Sequence, residues 1–456
     1  MKRQPRCRLS FLTAKEFVMG NVLQRAKKLI SNSSPPQLLS AGFAAVILIG
    51  ALILMLPISV RDDATVSFID ALFTSTSAVC VTGLIAIDTA DHFTVFGRTV
   101  VAALIQIGGL GVTCVGVTLI LAAGKRIGLK ARQLIKESWN VSTYGGLVKL
   151  VKSVLKLTLL FEGVGALLSF IVFVQDYPPM DALGIALFHS VAAFNNSGFD
   201  VLGGLQNLIP YQNDVLLNLV TAGLIIFGGI GFLVIMEVWR KRSFRKLTLH
   251  SKVVITVTGF LIVIGTIGLK LTEDITWLGA FFHSVSARTA GFSTYPLGTF
   301  TTAGLFILVI LMFIGASPGS TGGGIKTSTI FVIFSAIRRT MKNGHCVAFK
   351  RRIEDKTIMQ AFIVLIMSLF VVCLGTMLLC VAEPEYSFMQ LLFECVSAFG
   401  TVGLSTGITS ELGVIAKIIL ILTMFTGRLG VMTIATLGTF KEPGTAVYTS
   451  EDISIG

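Results

Sequence analysis

Eight long apolar stretches divide this chain, with shorter polar connections between them. A helix of about 20 apolar residues is long enough to cross a bilayer. Backbone that contacts lipid must satisfy its own hydrogen bonds, so each stretch predicts a transmembrane α-helix. The predicted spans are residues 37–57, 99–122, 153–174, 215–238, 253–271, 302–337, 358–381 and 414–437.

Four shorter apolar segments follow the first, third, fifth and seventh predicted spans. They are too short to cross a bilayer, which needs about 20 helical residues. We expect them to be re-entrant pore helices that run from the outer surface toward the midplane. Non-helical backbone after such a helix is tolerated only where it lines a water-filled path. The four segments are residues 68–79, 181–194, 275–287 and 387–399.

Each short segment carries a variant of one motif, a Phe followed by a small polar residue, an Ala and then a Gly. The copies are Phe73–Leu84, Phe188–Phe199, Phe282–Phe292 and Phe393–Leu404, and their glycines are Gly83, Gly198, Gly291 and Gly403. Regular self-similarity of this kind marks an internal repeat. With 46 glycines in the chain, one copy alone is explained by helix packing, but four copies in equivalent places are not.

The motif has a direct physical use. Glycine adopts backbone conformations that other residues resist, so four such segments meeting on one axis can form a ring of carbonyl oxygens, as in ion-selectivity filters. The C-terminal ends of the short helices carry partial negative charge and favour a cation. The predicted fold is therefore an all-α integral membrane protein of four fused helix–pore-helix–helix repeats. It comprises eight transmembrane helices and four re-entrant pore helices with pseudo-fourfold symmetry around one pore.

Composition and charge agree with a membrane protein. Hydrophobic residues make up 53% of the 456 residues and charged residues only 13%, against about 25% in soluble proteins. The net charge of +13 is concentrated in three loops, 125–152, 240–252 and 338–356, whereas the alternate connections are acidic. This positive-inside pattern places both termini in the cytoplasm and argues against a nucleic-acid partner. The acidic outer connections raise the local cation concentration.

This interpretation divides the chain into tails and repeats. The first tail is basic but lacks an apolar core, so it is not a cleavable signal peptide. The divisions are 1–36 (cytoplasmic tail), 37–124 (repeat 1), 125–239 (a cytoplasmic loop and repeat 2), 240–340 (repeat 3), 341–440 (repeat 4) and 441–456 (cytoplasmic tail).

Over about residues 37–440 the sequence resembles the Ktr/Trk/HKT superfamily of K⁺ transporters, most closely its KtrB-type membrane subunit. The resemblance lies in the four glycine segments, which look like that family's selectivity-filter strands. It implies that K⁺ is held by backbone carbonyls of these segments, and four glycines imply K⁺ preference. The filter residues so implied are Val81, Thr82, Gly83, Asn196, Ser197, Gly198, Thr289, Ala290, Gly291, Thr401, Val402 and Gly403.

The resemblance also implies a homodimer in the bacterial cell membrane and a cytosolic ring of KtrA-type nucleotide-binding subunits. The transported ion is K⁺, no covalent cofactor is expected, and any nucleotide belongs to the partner. Na⁺ coupling, channel-like uniport and the identity of the regulatory partner are left open. An organic-solute transporter would instead show inverted repeats. A membrane enzyme would need a nucleophile–base or metal constellation, and none stands out in the sequence.

A Pro- and Gly-rich break interrupts the sixth predicted span at residues 315–327. Such residues cannot continue a helix, and the segment resembles the intramembrane gating loop of the KtrB-type subunit. A nucleotide-binding Walker A loop is the rival interpretation, but Ile325 separates Gly324 from Lys326 and breaks that motif. The predicted loop residues are Gly315, Ser317, Pro318, Gly319, Ser320, Thr321, Gly322, Gly323, Gly324 and Lys326.

Polar residues inside the apolar stretches are further candidates. Arg428 is costly in mid-membrane, and the resemblance assigns it to holding the gating loop, with loop carbonyls as partners. We interpret Arg288 as a buttress behind the filter, with Glu394 or Asp70 as a candidate partner. The glycine clusters at 108–111, 228–231 and 426–430 are interpreted as helix-packing sites. His189 and His283 are interpreted as packing residues rather than a metal pair.

Overall fold

The computed structural model describes residues 34–122, 132–134, 146–341 and 346–437. Most of the predicted N-terminal tail, the whole C-terminal tail and parts of the basic loops at 125–152 and 338–356 lie outside the described residues. Nearly all of the regular secondary structure in the described chain is helical. Two antiparallel strands of two residues each, β1 (Val347–Ala348) and β2 (Arg351–Arg352), form a small hairpin.

The helices repeat one order four times: a long helix, a short helix and then a broken pair. The first long helix begins at Pro35, and Ser34 caps it together with Gln37. In chain order the helices are α1 (Pro35–Leu54), α2 (Phe68–Cys80), α3 (Thr89–His92), α4 (Val95–Leu110), α5 (Val112–Ala122), α6 (Leu147–Phe173), α7 (Pro179–Phe194), α8 (Val215–Ile230), α9 (Phe232–Lys241), α10 (Leu249–Thr272), α11 (Trp277–Ser286), α12 (Thr302–Phe313), α13 (Thr327–Thr340), α14 (Asp355–Ala382), α15 (Phe388–Gly400), α16 (Val414–Leu429) and α17 (Val431–Ala435).

The long helices α1, α6, α10 and α14 are the four uninterrupted helices in the described chain that are long and apolar enough to span a membrane. Their outward faces carry large apolar side chains, and Ile366, Phe370 and Met377 of α14 are each more than half exposed. The short helices α2, α7, α11 and α15 lie at the centre and are largely buried. An apolar exterior around a buried centre is the arrangement expected of a protein surrounded by lipid.

The other four predicted spans are not continuous helices, and for three of them this corrects the sequence interpretation. The pairs α4–α5 and α8–α9 bend by 98° and 97°, and α16–α17 breaks in the same way. Each break lies at a glycine with positive φ: Gly111 at 85°, Gly231 at 98° and Gly430 at 86°. A helix cannot continue through that conformation. The clusters interpreted as packing sites therefore also end helices, and the break between α12 and α13 is the one that was predicted, at residues 315–327.

Each long helix, with the short helix and the broken pair that follow it, forms one unit, and the four units pack in a closed cycle. The first member of each broken pair contacts the short helix of the following unit: α4 contacts α7, α8 contacts α11, and α12 contacts α15. The fourth unit returns to the first, because α16 packs against α2. No short peptide connection joins these last two elements. Across this seam the Nζ of Lys417 lies 2.8 Å from an oxygen of Asp70, with both side chains mostly buried.

Lys417→Met should destabilise the folded protein by about 1.5–3 kcal/mol, the typical worth of a hydrogen bond to a charged group. The substitution leaves Asp70 mostly buried without its partner. The midpoint of thermal unfolding in detergent measures the effect. Lys241→Met is the matched control, because its partner Glu237 keeps three other hydrogen-bond donors. Equal midpoints for both variants would contradict the role of this seam contact.

Candidate functional site

The four motif glycines, called the ring glycines below, lie next to one another in a closed cycle. A Cβ built on each would fall 2.1–2.8 Å from a backbone carbonyl oxygen of the next copy. Real Cβ atoms do not approach so closely, so glycine is required at all four positions. The contacts run from Gly83 to Ser197, from Gly198 to Ala290, from Gly291 to Val402 and from Gly403 back to Thr82.

The same backbone conformation recurs in all four copies. The ring glycines have φ between 67° and 92°, and the residue two positions earlier is also left-handed. These earlier residues are Val81 (57°), Asn196 (59°), Thr289 (78°) and Thr401 (49°). Three of them are β-branched, and such residues strongly resist this conformation. Strain of this kind persists only where the surrounding structure enforces it, and it is common at functional sites.

The third copy of the motif is one residue shorter than the others. The structure accommodates the missing residue at the C-terminal end of the short helix α11. In the fourth copy the N–H of Val402 donates to the carbonyl of Ser397, five residues back, at 2.9 Å. In the third, the N–H of Ala290 donates to Ser286, four residues back, also at 2.9 Å. The shortened helix end thus keeps Gly291 in register with the other ring glycines.

A fourfold contact that the sequence analysis missed fixes each short helix to its long helix. The third residue of each motif donates from its side chain to a long-helix carbonyl: Ser75 to Ile47 (2.7 Å), Ser190 to Glu162 (2.7 Å), Ser284 to Ile262 (2.8 Å) and Cys395 to Val372 (3.6 Å). Three residues after each carbonyl comes a glycine that makes room for this side chain: Gly50, Gly165, Gly265 and Gly375. These glycines are visible in the sequence, but their spacing is irregular. They precede the third residue of the motif by 25, 25, 19 and 20 positions.

The predicted loop lies directly against the left-handed residues of the third and fourth copies. The N–H of Gly323 donates to the hydroxyl of Thr401 at 2.8 Å. A Cβ on Gly322 would lie 2.2 Å from the hydroxyl of Thr289. The loop begins and ends together, because Ile314 and Ile325 form a parallel backbone bridge. The loop therefore leaves and re-enters the structure at neighbouring positions, and it contacts the ring from one side.

Helix breaks supply the loop with hydrogen-bond partners. The last carbonyl groups of any helix lack intrahelical hydrogen-bond donors. Here N–H groups of the loop donate to these carbonyl groups. The N–H of Ser317 donates to Gly229 at 3.0 Å, and that of Gly324 to Gly427 at 3.4 Å. Within the loop, the Nζ of Lys326 donates to the carbonyl of Gly322 at 2.6 Å. The loop is thus tied to the broken ends of the second and fourth units.

Arg428 connects three units. Its guanidinium donates to the carbonyl of Thr321 in the loop and to that of Gly108 at the broken end of the first unit. The first contact joins Arg428 to a loop carbonyl, as the sequence interpretation anticipated. The second contact, to Gly108, was not anticipated. No signal in the sequence pairs residues 320 positions apart.

Arg288 has neither of the partners considered for it. Its side chain is buried, and its Nη2 donates to the hydroxyl of Thr258 at 3.3 Å. Asp70 is instead engaged across the seam, and Glu394 accepts hydrogen bonds from residues 405–409. The fold satisfies both carboxylates locally, so the pairing hypothesis for Arg288 is wrong.

The two histidines are buried in aromatic surroundings. His189 Nε2 lies 2.8 Å from the hydroxyl of Thr221, and the His283 ring packs against Tyr295 and Phe300. Within the described chain no group of three or more metal-ligating side chains includes them.

Cavities open on both sides of the ring. One of about 280 Å³, called the mouth cavity below, reaches Gly83, Gly291 and Gly403 and the residues that follow them. Another of about 220 Å³ lies on the loop side and is lined by Lys326 and Arg428 among others. The ring backbone and the loop thus separate two cavities, one with the carboxylate of Asp200 in its lining and one lined by Lys326 and Arg428 among others.

Comparison with known proteins places these features in context. A family model for TrkH, described as a cation transport protein, matches residues 13–273 and 251–447. A Bacillus subtilis protein named Ktr system potassium uptake protein B is 41% identical over 88% of this chain and 92% of its own. The Enterococcus hirae potassium/sodium uptake protein NtpJ is 36% identical over 90% of this chain and 93% of its own.

Among solved structures, the potassium transporter TrkH from Vibrio parahaemolyticus superposes with a TM-score of 0.71. The alignment covers 90% of this chain and 86% of that one, at 18% sequence identity. At this identity the likeness shows a shared fold, and an all-helical membrane transporter fold is common to both.

Gly165→Ala should lower the stability of the folded protein by about 1–3 kcal/mol, the usual cost of overpacking. The added Cβ would lie 2.5 Å from the hydroxyl of Ser190. Gly163→Ala, on the same helix, is the matched control because no atom lies within 4 Å of its Cβ position. It should be neutral or stabilising by up to about 1 kcal/mol, since alanine favours helix over glycine. Thermal unfolding in detergent compares them, and a loss of the same size in both would refute the contact.

Proposed function

This chain belongs to the TrkH family of cation transport proteins, and from that premise we propose that it is the K⁺-translocating subunit of a potassium uptake system. Four fused helix–pore-helix–helix repeats surround one pore, and dehydrated K⁺ passes through the filter that the four glycine segments form. The closed ring of four glycines is the observation that carries this proposal. Initial K⁺ uptake in a bacterium that lacks its own K⁺ uptake systems tests it, with and without a cytosolic ring partner.

The ring supports a filter because the four backbones approach one another as closely as glycine allows. Carbonyl oxygens gathered in this way can replace the hydration shell of an ion. The short helices end beside the ring, so the negative ends of their dipoles favour a cation there. The filter residues are those at positions 81–83, 196–198, 289–291 and 401–403.

The loop at 315–327 is the gate in this proposal. It contacts Thr289 and Thr401 directly behind the ring and obstructs the path toward the cavity lined by Lys326 and Arg428. Both cations would repel a passing K⁺ while the loop is held in place. Arg428 holds the loop by its bond to Thr321 and ties it to the first unit.

Partners and location complete the proposal. The names of the relatives, which describe a Ktr system and a potassium/sodium uptake protein, support a cytosolic KtrA-type nucleotide-binding ring as the regulator and leave room for Na⁺ dependence. The protein is a multi-pass protein of the cell membrane, it forms a homodimer, and both termini are cytoplasmic. The basic loops between the repeats provide the docking surface for the ring.

Gly403→Ser should abolish K⁺ over Na⁺ discrimination, because its Cβ would lie 2.1 Å from the carbonyl of Thr82 at a φ of 92°. Gly198→Ser should be milder, since its φ is 67° and the nearest carbonyl is 2.8 Å away. Gly407→Ser is the control, because its φ of 101° is strained but its Cβ position is open. The relative uptake of K⁺ and Na⁺ per folded protein is the measurement, and discrimination retained in both ring variants would reject the filter.

Arg428→Gln should raise K⁺ flux through the closed state by about 10- to 100-fold, because a charged hydrogen bond is worth about 1.5–3 kcal/mol. Deletion of residues 317–323 should raise it further and remove most dependence on the ring partner. The deletion removes the N–H groups of Ser317 and Gly323, which donate to the carbonyl of Gly229 and the hydroxyl of Thr401. Flux per reconstituted molecule is measured.

Thr426→Ala serves as the control for Arg428→Gln, because the Thr426 hydroxyl bonds only within its own helix. If Arg428 serves assembly alone, Arg428→Gln will reduce the amount of folded protein without changing flux per molecule. That result would reject the gating role.

A further inference from the structure

A second layer of four equivalent positions lies just outside the ring glycines. The residues two positions after each ring glycine all line the mouth cavity: Ile85, Asp200, Ser293 and Ser405. They are equivalent in the repeat but chemically unlike one another. The layer contains one carboxylate, two hydroxyls and one apolar side chain. The electrostatic attraction that this layer exerts on a cation therefore comes from one of its four positions.

The two hydroxyls of this layer are already engaged. The Ser293 hydroxyl donates to the carbonyl of Tyr295 at 2.5 Å. The Ser405 hydroxyl donates to the buried carboxylate of Glu394 at 2.6 Å. Their protons point away from a cation in the cavity, and the Ser405 oxygen also accepts hydrogen bonds from the N–H of Gly407 and the hydroxyl of Thr409. They are neutral ligands at most.

Asp200 differs from these two in having a free anionic oxygen. Its side chain is 6% exposed, and its Oδ1 accepts the N–H of Leu202 at 3.1 Å. Within the described residues its Oδ2 has no hydrogen-bond partner, and no cationic side chain forms an ion pair with it. A nearly buried carboxylate oxygen that faces a cavity without a partner is expected to bind a cation.

The surrounding loop holds this carboxylate in place. The N–H of Leu205 donates to Asp88 at 2.7 Å, and that of Gly204 donates to Asp91 at 3.0 Å. Asn207 donates to the carbonyl of Gly198 and accepts the N–H of Ser293. The segment that carries Asp200 is thus fixed to the neighbouring units, and the site is built rather than adventitious.

We propose that Asp200 forms a binding site for a monovalent alkali cation in the mouth cavity, one layer outside the ring glycines, and that it sets the apparent affinity for external K⁺. The proposal rests on the function proposed above. The cavity of about 280 Å³ holds an ion with several waters, since each water takes about 30 Å³. The ion therefore waits there partly hydrated before it enters the ring.

Asp200→Asn is the central test, because asparagine keeps the acceptor for Leu202 and removes the charge. In the uptake-deficient bacterium at pH 8, it should raise the K⁺ concentration for half-maximal uptake by about fivefold, the factor for one unit charge at about 4 Å in a water-like medium. Asp63→Asn, an exposed carboxylate of another connection between helices, should have no effect.

Two further variants return a carboxylate to the same layer. Asp200→Glu retains the charge, and the double variant Asp200→Asn with Ile85→Asp moves it to the equivalent position of the first copy. At least one of these two variants should restore the K⁺ concentration for half-maximal uptake of the parent protein. The proposal is overturned if Asp200→Asn and the parent protein need the same K⁺ concentration for half-maximal uptake. It is also overturned if Asp63→Asn raises that concentration as much as Asp200→Asn does, or if neither carboxylate variant reverses the increase. A parent protein without any K⁺ uptake would instead reject the proposed function itself.

Discussion

The close approach of four backbones at the ring glycines is the constraint on which the rest of the structure depends. Each glycine faces a carbonyl oxygen of the next copy at a distance that leaves no room for a Cβ. The cycle closes only if the short helices are held in exact mutual register. The side-chain bonds from the third motif residue to each long helix supply that register, and the pair of Lys417 and Asp70 closes the seam.

The helix breaks connect this ring to the loop behind it. A continuous helix satisfies its own carbonyls, whereas a helix that ends in mid-structure leaves the last ones free. Here Gly229 and Gly427 offer such carbonyls to loop N–H groups, and the carbonyl of Gly108, which also accepts the N–H of Gly111, accepts a hydrogen bond from Arg428. The glycine breaks therefore create the attachment points of the loop. The loop is thus held at several points by hydrogen bonds to the broken helix ends.

The four copies share a backbone but differ in the side chains around it. Asp200 is the acidic member of its layer, Arg288 belongs to the copy that is one residue shorter, and Glu394 replaces the histidines of the second and third copies. Equivalent positions therefore carry different chemistry around one path. Repetition explains the common backbone geometry, and the departures from it are where individual function is to be sought.

The sequence by itself determined the helical membrane class, the long and short helices and the positions of the ring glycines, because apolar length and glycine placement are local properties. It also located the loop at 315–327, since proline and clustered glycine stop a helix wherever they stand. Only the tertiary structure decided that Gly111, Gly231 and Gly430 end helices, that Arg428 reaches Gly108, and that Arg288 contacts Thr258. A glycine permits either a packed or a broken helix, and long-range packing chooses between them.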